Sequence, residues 1–111
     1  MSMTLAGVPD VVKAYLAADA AGDADALALC FDEDGLVHDE AHDYRGRNAI
    51  RSWNTETKAK YRYTLEPLDA SAGGDVIRLG VRLTGEFPGS PVEVDYTFTL
   101  ANDKIASLTV D

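Results

Sequence analysis

Three polar residues stand at positions where the surrounding sequence pattern directs side chains toward the protein interior. Tyr15 lies in the helical segment VVKAYLAADAAGD, Asp39 ends the run GLVHD, and Asp95 interrupts the strand-like segment VEVDYTFTL. A carboxylate can remove a proton from a carbon next to a carbonyl, and hydroxyl or neutral carboxyl groups can stabilise the oxyanion that forms. If the three side chains share one hollow, they predict a proton-transfer enzyme that works without a cofactor.

Each of these residues also has a purely structural interpretation. Tyr15 could be a core tyrosine with its hydroxyl at the rim, and Asp39 stands in an acidic stretch that would suit a solvated loop. Asp95 could pair with Arg78 or Arg82 on a neighbouring strand and stay ionised. A shift of one residue in strand register decides whether these arginines or the apolar residues between them face the hollow. The arginines would favour an anionic or polar carbonyl ligand, and the apolar residues would favour an apolar one.

Other residues with possible chemistry are assigned to the pocket wall or to the core. His38 and His42 are four residues apart, but no third ligand accompanies them, so no metal site is predicted. His42 could reach the mouth of the pocket as a secondary acid or base, and Trp53 is expected to form a wall. Cys30 lies in the apolar stretch LALCF and is expected in the core.

The first half of the chain has helical periodicity. Pro9 near the start and Gly22 at the end delimit a first helix, and Asp23 is placed to cap a short second one. A third helix follows Gly46, with Trp53 on its apolar face. Between the second and third helices we expect a turn at 32–35, a short strand at 36–39, and a polar loop that holds His42.

The second half alternates apolar and polar residues with the period of two that is typical of strands, separated by short turns. Helices followed by a meander of strands indicate an α+β fold, with residues 1–111 as a single domain. We expect a curved antiparallel sheet wrapped around three helices, with a hollow between the layers. The apolar residues Val94, Tyr96, Phe98 and Leu100 are expected on the outer face, which predicts a homodimer through the sheet.

Composition excludes several classes of partner. The formal net charge of −9 argues against binding to nucleic acid or to an anionic membrane, since both require a basic surface. No apolar run is long enough to cross a membrane, and the first residues do not read as a signal peptide. With one cysteine and therefore no internal disulfide, the chain is expected in the cytoplasm.

The order of elements resembles a known superfamily. The runs VVKAYLAADAAGD, ALALCFDEDGLVHD, YRGRNAIRSW and VDYTFTLANDKIASLTV are similar to the nuclear transport factor 2-like proteins. Within that superfamily the sequence looks most like ketosteroid isomerase and the SnoaL-like polyketide cyclases. The resemblance implies a cone-shaped fold, a small-molecule carbonyl substrate and no cofactor, although this fold supports many functions.

The resemblance to the isomerase also implies a role for each residue introduced above. Asp39 stands where that family has its general base, and Tyr15 stands where it has an oxyanion donor on the first helix. Asp95, nine residues before Lys104, stands where the family has a second donor, a protonated aspartate. Moving a double bond next to a ketone needs one base and such donors.

The chain also departs from the isomerase pattern. Phe31 and Asn54 occupy places where the isomerases have tyrosines in some or all members, and they are retained as expected pocket residues. Glu40 follows the base where the isomerase has a proline. We therefore expect an isomerase-like enzyme that acts on a small apolar carbonyl compound. The alternatives are a SnoaL-like cyclase that performs an intramolecular aldol closure, or a non-catalytic module for ligand binding or dimerisation.

Overall fold

The computed structural model describes all residues from 1 to 111. It contains three α-helices, α1 (Asp10–Ala21), α2 (Ala24–Leu29) and α3 (Arg47–Tyr61), and a short 3₁₀ helix, Leu5–Gly7. Its seven strands are β1 (Ser2–Met3), β2 (Phe31–Asp39), β3 (His42–Arg45), β4 (Thr64–Gly73), β5 (Val76–Thr84), β6 (Val92–Ala101) and β7 (Lys104–Val110).

The ends of the first two helices lie where the sequence predicts them. Pro9 precedes α1, and Gly22 ends it in the left-handed conformation, with φ of 68° and its N–H donating to the carbonyl oxygens of Ala18 and Asp19. Glycine adopts this conformation without the steric cost that a side chain would add. Asp23 then caps α2, since its Oδ1 accepts a hydrogen bond of 3.0 Å from the N–H of Ala26.

All seven strands form one sheet in the order β1-β4-β5-β6-β7-β2-β3. The α+β architecture expected from the sequence is confirmed. Every neighbouring pair is antiparallel except β2 and β7, which run parallel. The expectation that short turns would make the whole sheet antiparallel is wrong for this pair. The chain makes α3 and four further strands between β2 and β7, so no tight turn joins them.

The segment before α3 is more extended than expected. The strand β2 begins at Phe31, and a register shift between Phe31 and Leu36 takes up the segment that was expected to be a turn. The polar segment expected to be a loop forms strand β3, whose His42 is paired with Asp39. This hairpin places Asp39 at the very end of β2.

The core lies between the helices and one face of the sheet. The row that was expected on the outer face belongs to this core, since Phe98 is fully buried and Tyr96 is 3% exposed. Leu79 and Val81 on β5 are buried with them. The predicted orientation of β6 is therefore wrong by one residue, and the apolar set faces the helices. No helix is long and apolar enough to span a membrane.

Candidate active site

A cavity of about 650 Å³ opens between α3, the end of β2 and the inner face of the sheet. Ten of the sixteen residues that line it are hydrophobic. The lining residues are His38, Asp39, Glu40, Ala41, Trp53, Thr57, Tyr61, Tyr63, Leu83, Phe87, Pro88, Val92, Val94, Tyr96, Val110 and Asp111. An apolar hollow with a few polar groups is the usual form of a small-molecule site.

Asp39 lies in the wall of this cavity and is held by Trp53. The indole Nε1 of Trp53, on α3, donates a hydrogen bond of 3.0 Å to Oδ2 of Asp39. Trp53 is itself 3% exposed, and Tyr44 on β3 packs against its ring. Burial raises the pKa of Asp39 above its ordinary value of 3.8, and the hydrogen bond from Trp53 lowers it in part. Asp39 is thus a fixed, partly desolvated carboxyl group.

Tyr96 and Tyr63 bring two phenol groups to the cavity wall. The hydroxyl of Tyr63 donates to Oδ1 of Asp19 at 2.8 Å, so its proton is already engaged. The hydroxyl of Tyr96 has no hydrogen-bond partner within the protein. Burial raises the pKa of Tyr96, and the charges of Asp19 and Asp39 raise it further. Tyr96 therefore stays protonated and can donate to a ligand.

Tyr15 lies deeper than the sequence led us to expect. It is fully buried in the core and does not line the cavity. Its ring packs edge to face against Phe31, Tyr96 and Phe98, at centroid distances of 6.1, 6.4 and 5.3 Å. Its hydroxyl is buried without a hydrogen-bond partner. Tyr15 supports the wall made by Tyr96 rather than forming the wall itself.

Asp95 lies on the opposite face of the sheet, which corrects the expectation that it points into the hollow. Its Oδ1 accepts a hydrogen bond of 2.9 Å from the Arg78 guanidinium, and its side chain is 51% exposed. Asp69 pairs with the same guanidinium at 3.3 Å. Side chains alternate along a strand, so the inward position of Tyr96 requires Asp95 to point outward. The alternative interpretation of Asp95 as a partner of Arg78 matches this geometry.

Of the four residues expected to line the pocket, only one lies in the cavity wall. Trp53 lines the cavity as expected, whereas His42 is exposed on β3 and does not line it. Phe31 is fully buried against Tyr15, away from the cavity surface. Asn54 is buried on the far side of α3 and lines a smaller depression beside α1. A helix directs neighbouring residues to different faces, so Trp53 and Asn54 cannot share one site.

A buried polar network that sequence reasoning missed supports the inner end of the site. Asp19, 1% exposed, accepts hydrogen bonds from Asn54 and Tyr63, and the Lys58 ammonium lies 3.1 Å from its Oδ2. Lys58 also lies 4.0 Å from the centroid of the Tyr63 ring. A buried carboxylate needs partners of this kind, and here they fix α1 against α3 and against the segment that joins α3 to β4. The polar Asp19 within the helical run ADAAGD was the signal in the sequence from which this network could have been predicted.

No group of three or more His, Cys, Asp or Glu residues is placed to bind a metal ion.

Comparisons with known proteins found one matching family and several similar structures. The profile of the SnoaL-like domain family matches residues 12–108. No curated protein sequence gives a significant match. A crystal structure from Sinorhizobium meliloti, of a candidate polyketide cyclase, is 38% identical to this chain with a TM-score of 0.91. The similarity covers 94% of this chain and 95% of the other.

More distant structures share the fold. A protein from Catenulispora acidiphila with a ketosteroid isomerase-like fold, in complex with trimethylamine, is 24% identical with a TM-score of 0.81, covering 94% of this chain and 85% of the other. A cystatin-fold protein from Novosphingobium aromaticivorans is 20% identical with a TM-score of 0.78, covering 95% of this chain and 99% of the other. At these identities the likeness concerns the fold alone.

Proposed function

Because this chain belongs to the SnoaL-like domain family, we propose that it is an enzyme that removes a proton next to the carbonyl of a small apolar substrate. Asp39 is the general base and Tyr96 is the oxyanion donor. The observation that carries this proposal is the position of Asp39. It is a partly desolvated carboxyl group, fixed by Trp53, in the wall of an otherwise mainly apolar cavity.

The environment of Asp39 suits a base. Removing a carboxylate from water destabilises its charged form, so the group accepts a proton more readily than an exposed aspartate does. The Trp53 indole binds Oδ2, and no side-chain donor contacts Oδ1, so Oδ1 is the oxygen proposed to take the proton from a substrate C–H. A positioned base contributes about 10²–10⁴ in rate.

Tyr96 takes the role that the family resemblance had given to Tyr15 and Asp95. When Asp39 takes the proton, the C–H electron pair forms the enolate and negative charge moves to the carbonyl oxygen. Tyr96 lines the same cavity, and its hydroxyl has no hydrogen-bond partner in the protein. Its hydrogen bond to that oxygen would strengthen as charge develops, and one such donor contributes about 10²–10³ in rate.

The enolate has two possible fates. If Asp39 returns the proton to a different carbon, the double bond moves and the enzyme is an isomerase of the ketosteroid isomerase type. If the enolate carbon attacks a second carbonyl in the same molecule, the carbon–oxygen π bond of that carbonyl opens, the alkoxide takes up the proton removed by Asp39, and the enzyme is a cyclase. The family, together with the 38% identity to the candidate cyclase from S. meliloti, favours the second fate. Proton removal by Asp39 is common to both.

The shared first step gives the test. Exchange of α-protons for deuterium in a small aryl methyl ketone is followed by NMR for the wild type, Asp39→Asn and a matched control, Asp95→Asn. We expect Asp39→Asn to lower the rate by about 10²–10⁴, and Asp95→Asn to keep the wild-type rate. Equal rates for the wild type and Asp39→Asn would contradict the assignment and favour a non-catalytic binding module. A β,γ-unsaturated ketone and a polyketide-type diketo ester then separate isomerase from cyclase by their products.

A further inference from the structure

The charged groups that line the cavity are predominantly acidic. Asp39, Glu40 and Asp111 contribute carboxylates, whereas no lysine or arginine lines it. His38 is the one basic side chain in the lining, and its Nδ1 lies 2.6 Å from Oδ1 of Asp43. With a formal net charge of −9, the rest of the chain adds to the negative potential. The cavity is therefore electrostatically unfavourable for an anionic substrate.

The walls of the cavity are rich in aromatic rings. Trp53, Tyr63 and Tyr96 lie in the interior, each about 5% exposed or less, and Tyr61 and Phe87 lie nearer the mouth. The rings of Tyr61 and Phe87 pack edge to face, at a centroid distance of 5.6 Å and an angle of 83°. Aromatic faces attract ammonium groups through the ring quadrupole.

Glu40 joins the aromatic pair at the mouth. The Tyr61 hydroxyl donates a hydrogen bond of 2.7 Å to Oε1 of Glu40, which fixes an exposed carboxylate beside the rings. The same protein already places ammonium groups against such rings. The Lys60 Nζ lies 4.9 Å from the centroid of Tyr61, and the Lys58 Nζ lies 4.0 Å from that of Tyr63. Lys60 is exposed, so a ligand ammonium would take the place of its Nζ at the Tyr61 ring.

We propose that the substrate carries an ammonium group, which binds at the mouth beside Glu40 and against Tyr61 and Phe87. The carbonyl end of the same substrate then extends inward to Asp39 and Tyr96. This inference rests on the proposed function for the placement of the carbonyl. It changes the substrate class of that proposal. The part of the molecule inside the cavity stays apolar, but the end at the mouth carries an amino or quaternary ammonium group, and carboxylate counterparts are rejected.

The test compares three aryl methyl ketones of nearly equal shape by isothermal titration calorimetry. Their para substituents are CH₂N(CH₃)₃⁺, the neutral CH₂C(CH₃)₃ and the anionic CH₂COO⁻. We expect the ammonium ketone to bind about tenfold more tightly than the neutral one, and the carboxylate ketone to bind more weakly than either. Raising the salt concentration should reduce the difference, since ions screen exposed charges.

Glu40→Gln and Glu66→Gln form a matched pair of variants. Glu40→Gln keeps an oxygen that can accept from Tyr61 but removes the charge at the mouth, so the ammonium preference should fall while affinity for the neutral ketone is kept. Glu66 pairs with Arg82 on the outer face, and Glu66→Gln should leave the preference unchanged. Equal or weaker binding of the ammonium ketone, or no binding of any of the three, would overturn the proposal.

Binding and exchange separate this inference from the proposed function. If the three ketones bind equally while Asp39→Asn abolishes deuterium exchange, the base is correctly assigned and the ammonium site is wrong. If the ammonium preference depends on Glu40 while exchange is the same in the wild type and Asp39→Asn, the cavity recognises cations without this chemistry.

Discussion

The hydrogen bond from Trp53 to Asp39 opposes the rise in pKa that burial causes in this carboxyl group. Burial alone favours the protonated form, and the indole donor favours the ionised form that acts as a base. With Asp39 as the proposed base, the active form is the ionised one, so activity should fall as the pH drops through the raised pKa of Asp39. The acid limb of the pH profile should therefore lie above the ordinary value of 3.8.

Replacing Trp53 by phenylalanine removes the indole donor and should shift the pKa of Asp39 in one direction only. In Trp53→Phe the ionised carboxylate loses a partner, so its pKa should rise further and the acid limb of kcat/KM should move to higher pH. The pH dependence of deuterium exchange in wild type and variant measures this movement. An acid limb that stays in place, or moves to lower pH, would show that Trp53 does not stabilise the charged base.

The two phenols of the cavity wall should differ in importance. Tyr96→Phe removes the unengaged donor and should lower kcat by about 10²–10³. Tyr63→Phe removes a donor that is already committed to Asp19, and should lower stability more than kcat because it leaves a buried carboxylate less well satisfied. Steady-state kinetics and thermal unfolding of both variants test this contrast. Equal loss of kcat in the two variants would assign the oxyanion site to both hydroxyls or to neither.

Two of the residues that line the cavity, Asp39 and Trp53, were predicted from the sequence. Asp39 was accessible to prediction because it ends an apolar run before a turn. Tyr96 was missed because it belongs to an alternating apolar row, and nothing in the sequence distinguishes a cavity tyrosine from a core tyrosine. Tyr15 was correctly predicted to point inward, but its depth behind Tyr96 depends on the packing of three aromatic rings.

The register of β6 is the element-scale feature on which the site depends. The pairing of β5 with β6 aligns Arg82 with Glu93 and Gly80 with Asp95, so the charged residues of both strands share the outer face. Arg82 contacts both Glu66 and Glu93 there. These charges were visible in the sequence, but each strand alone is compatible with either orientation. Only the pairing of the two strands decides between them.

This register predicts that Asp95 is dispensable for chemistry. Asp95→Asn should change kcat/KM by less than about twofold, because surface ion pairs contribute little to stability and the residue does not line the cavity. Exchange kinetics of the purified variant measure the effect. A loss of one hundredfold or more would restore the role that the family resemblance implied.

The outer face also bears on the predicted homodimer. The apolar row on which that prediction was based is buried in the core. An interface on the outer face would instead meet the charged residues around Arg78 and Arg82. The homodimer remains a prediction, and such an interface should weaken as salt is added. Light scattering at low and high salt measures this, and a monomer under both conditions would contradict it.

At the scale of the whole molecule, the fold was predictable because its signals are local and agree with one another. Pro9, Gly22 and Asp23 mark helix ends, and the change from helical to strand periodicity marks the passage to the sheet. The parallel pairing of β2 with β7 was not predictable in this way, since it joins residues about 70 positions apart through long-range packing.

The partly buried position of Asp39 should lower the free energy of unfolding of the whole molecule when its carboxyl group is ionised. A carboxyl group whose pKa is higher in the folded state than in the unfolded chain binds its proton more strongly when folded. Unfolding then releases a proton, so the contribution of Asp39 to stability declines as the pH rises from the ordinary pKa through the raised one. At pH values above the raised pKa, the folded protein therefore carries the full cost of an ionised, partly buried carboxylate.

Asp39→Asn should remove that cost, and its amide oxygen can still accept the hydrogen bond from Trp53. We expect the midpoint of thermal unfolding to rise by a few degrees at neutral pH while activity is lost, as is common for functional residues. The gain should shrink as the pH falls and disappear below the ordinary pKa of 3.8, where the aspartate becomes protonated in both states. Circular dichroism melts across this range measure it, with Asp95→Asn as the control that should show no gain. A lower midpoint for Asp39→Asn at neutral pH would mean that the carboxylate stabilises the fold. Asp39 would then have a structural role, and its proposed role as a base that lowers stability would be contradicted.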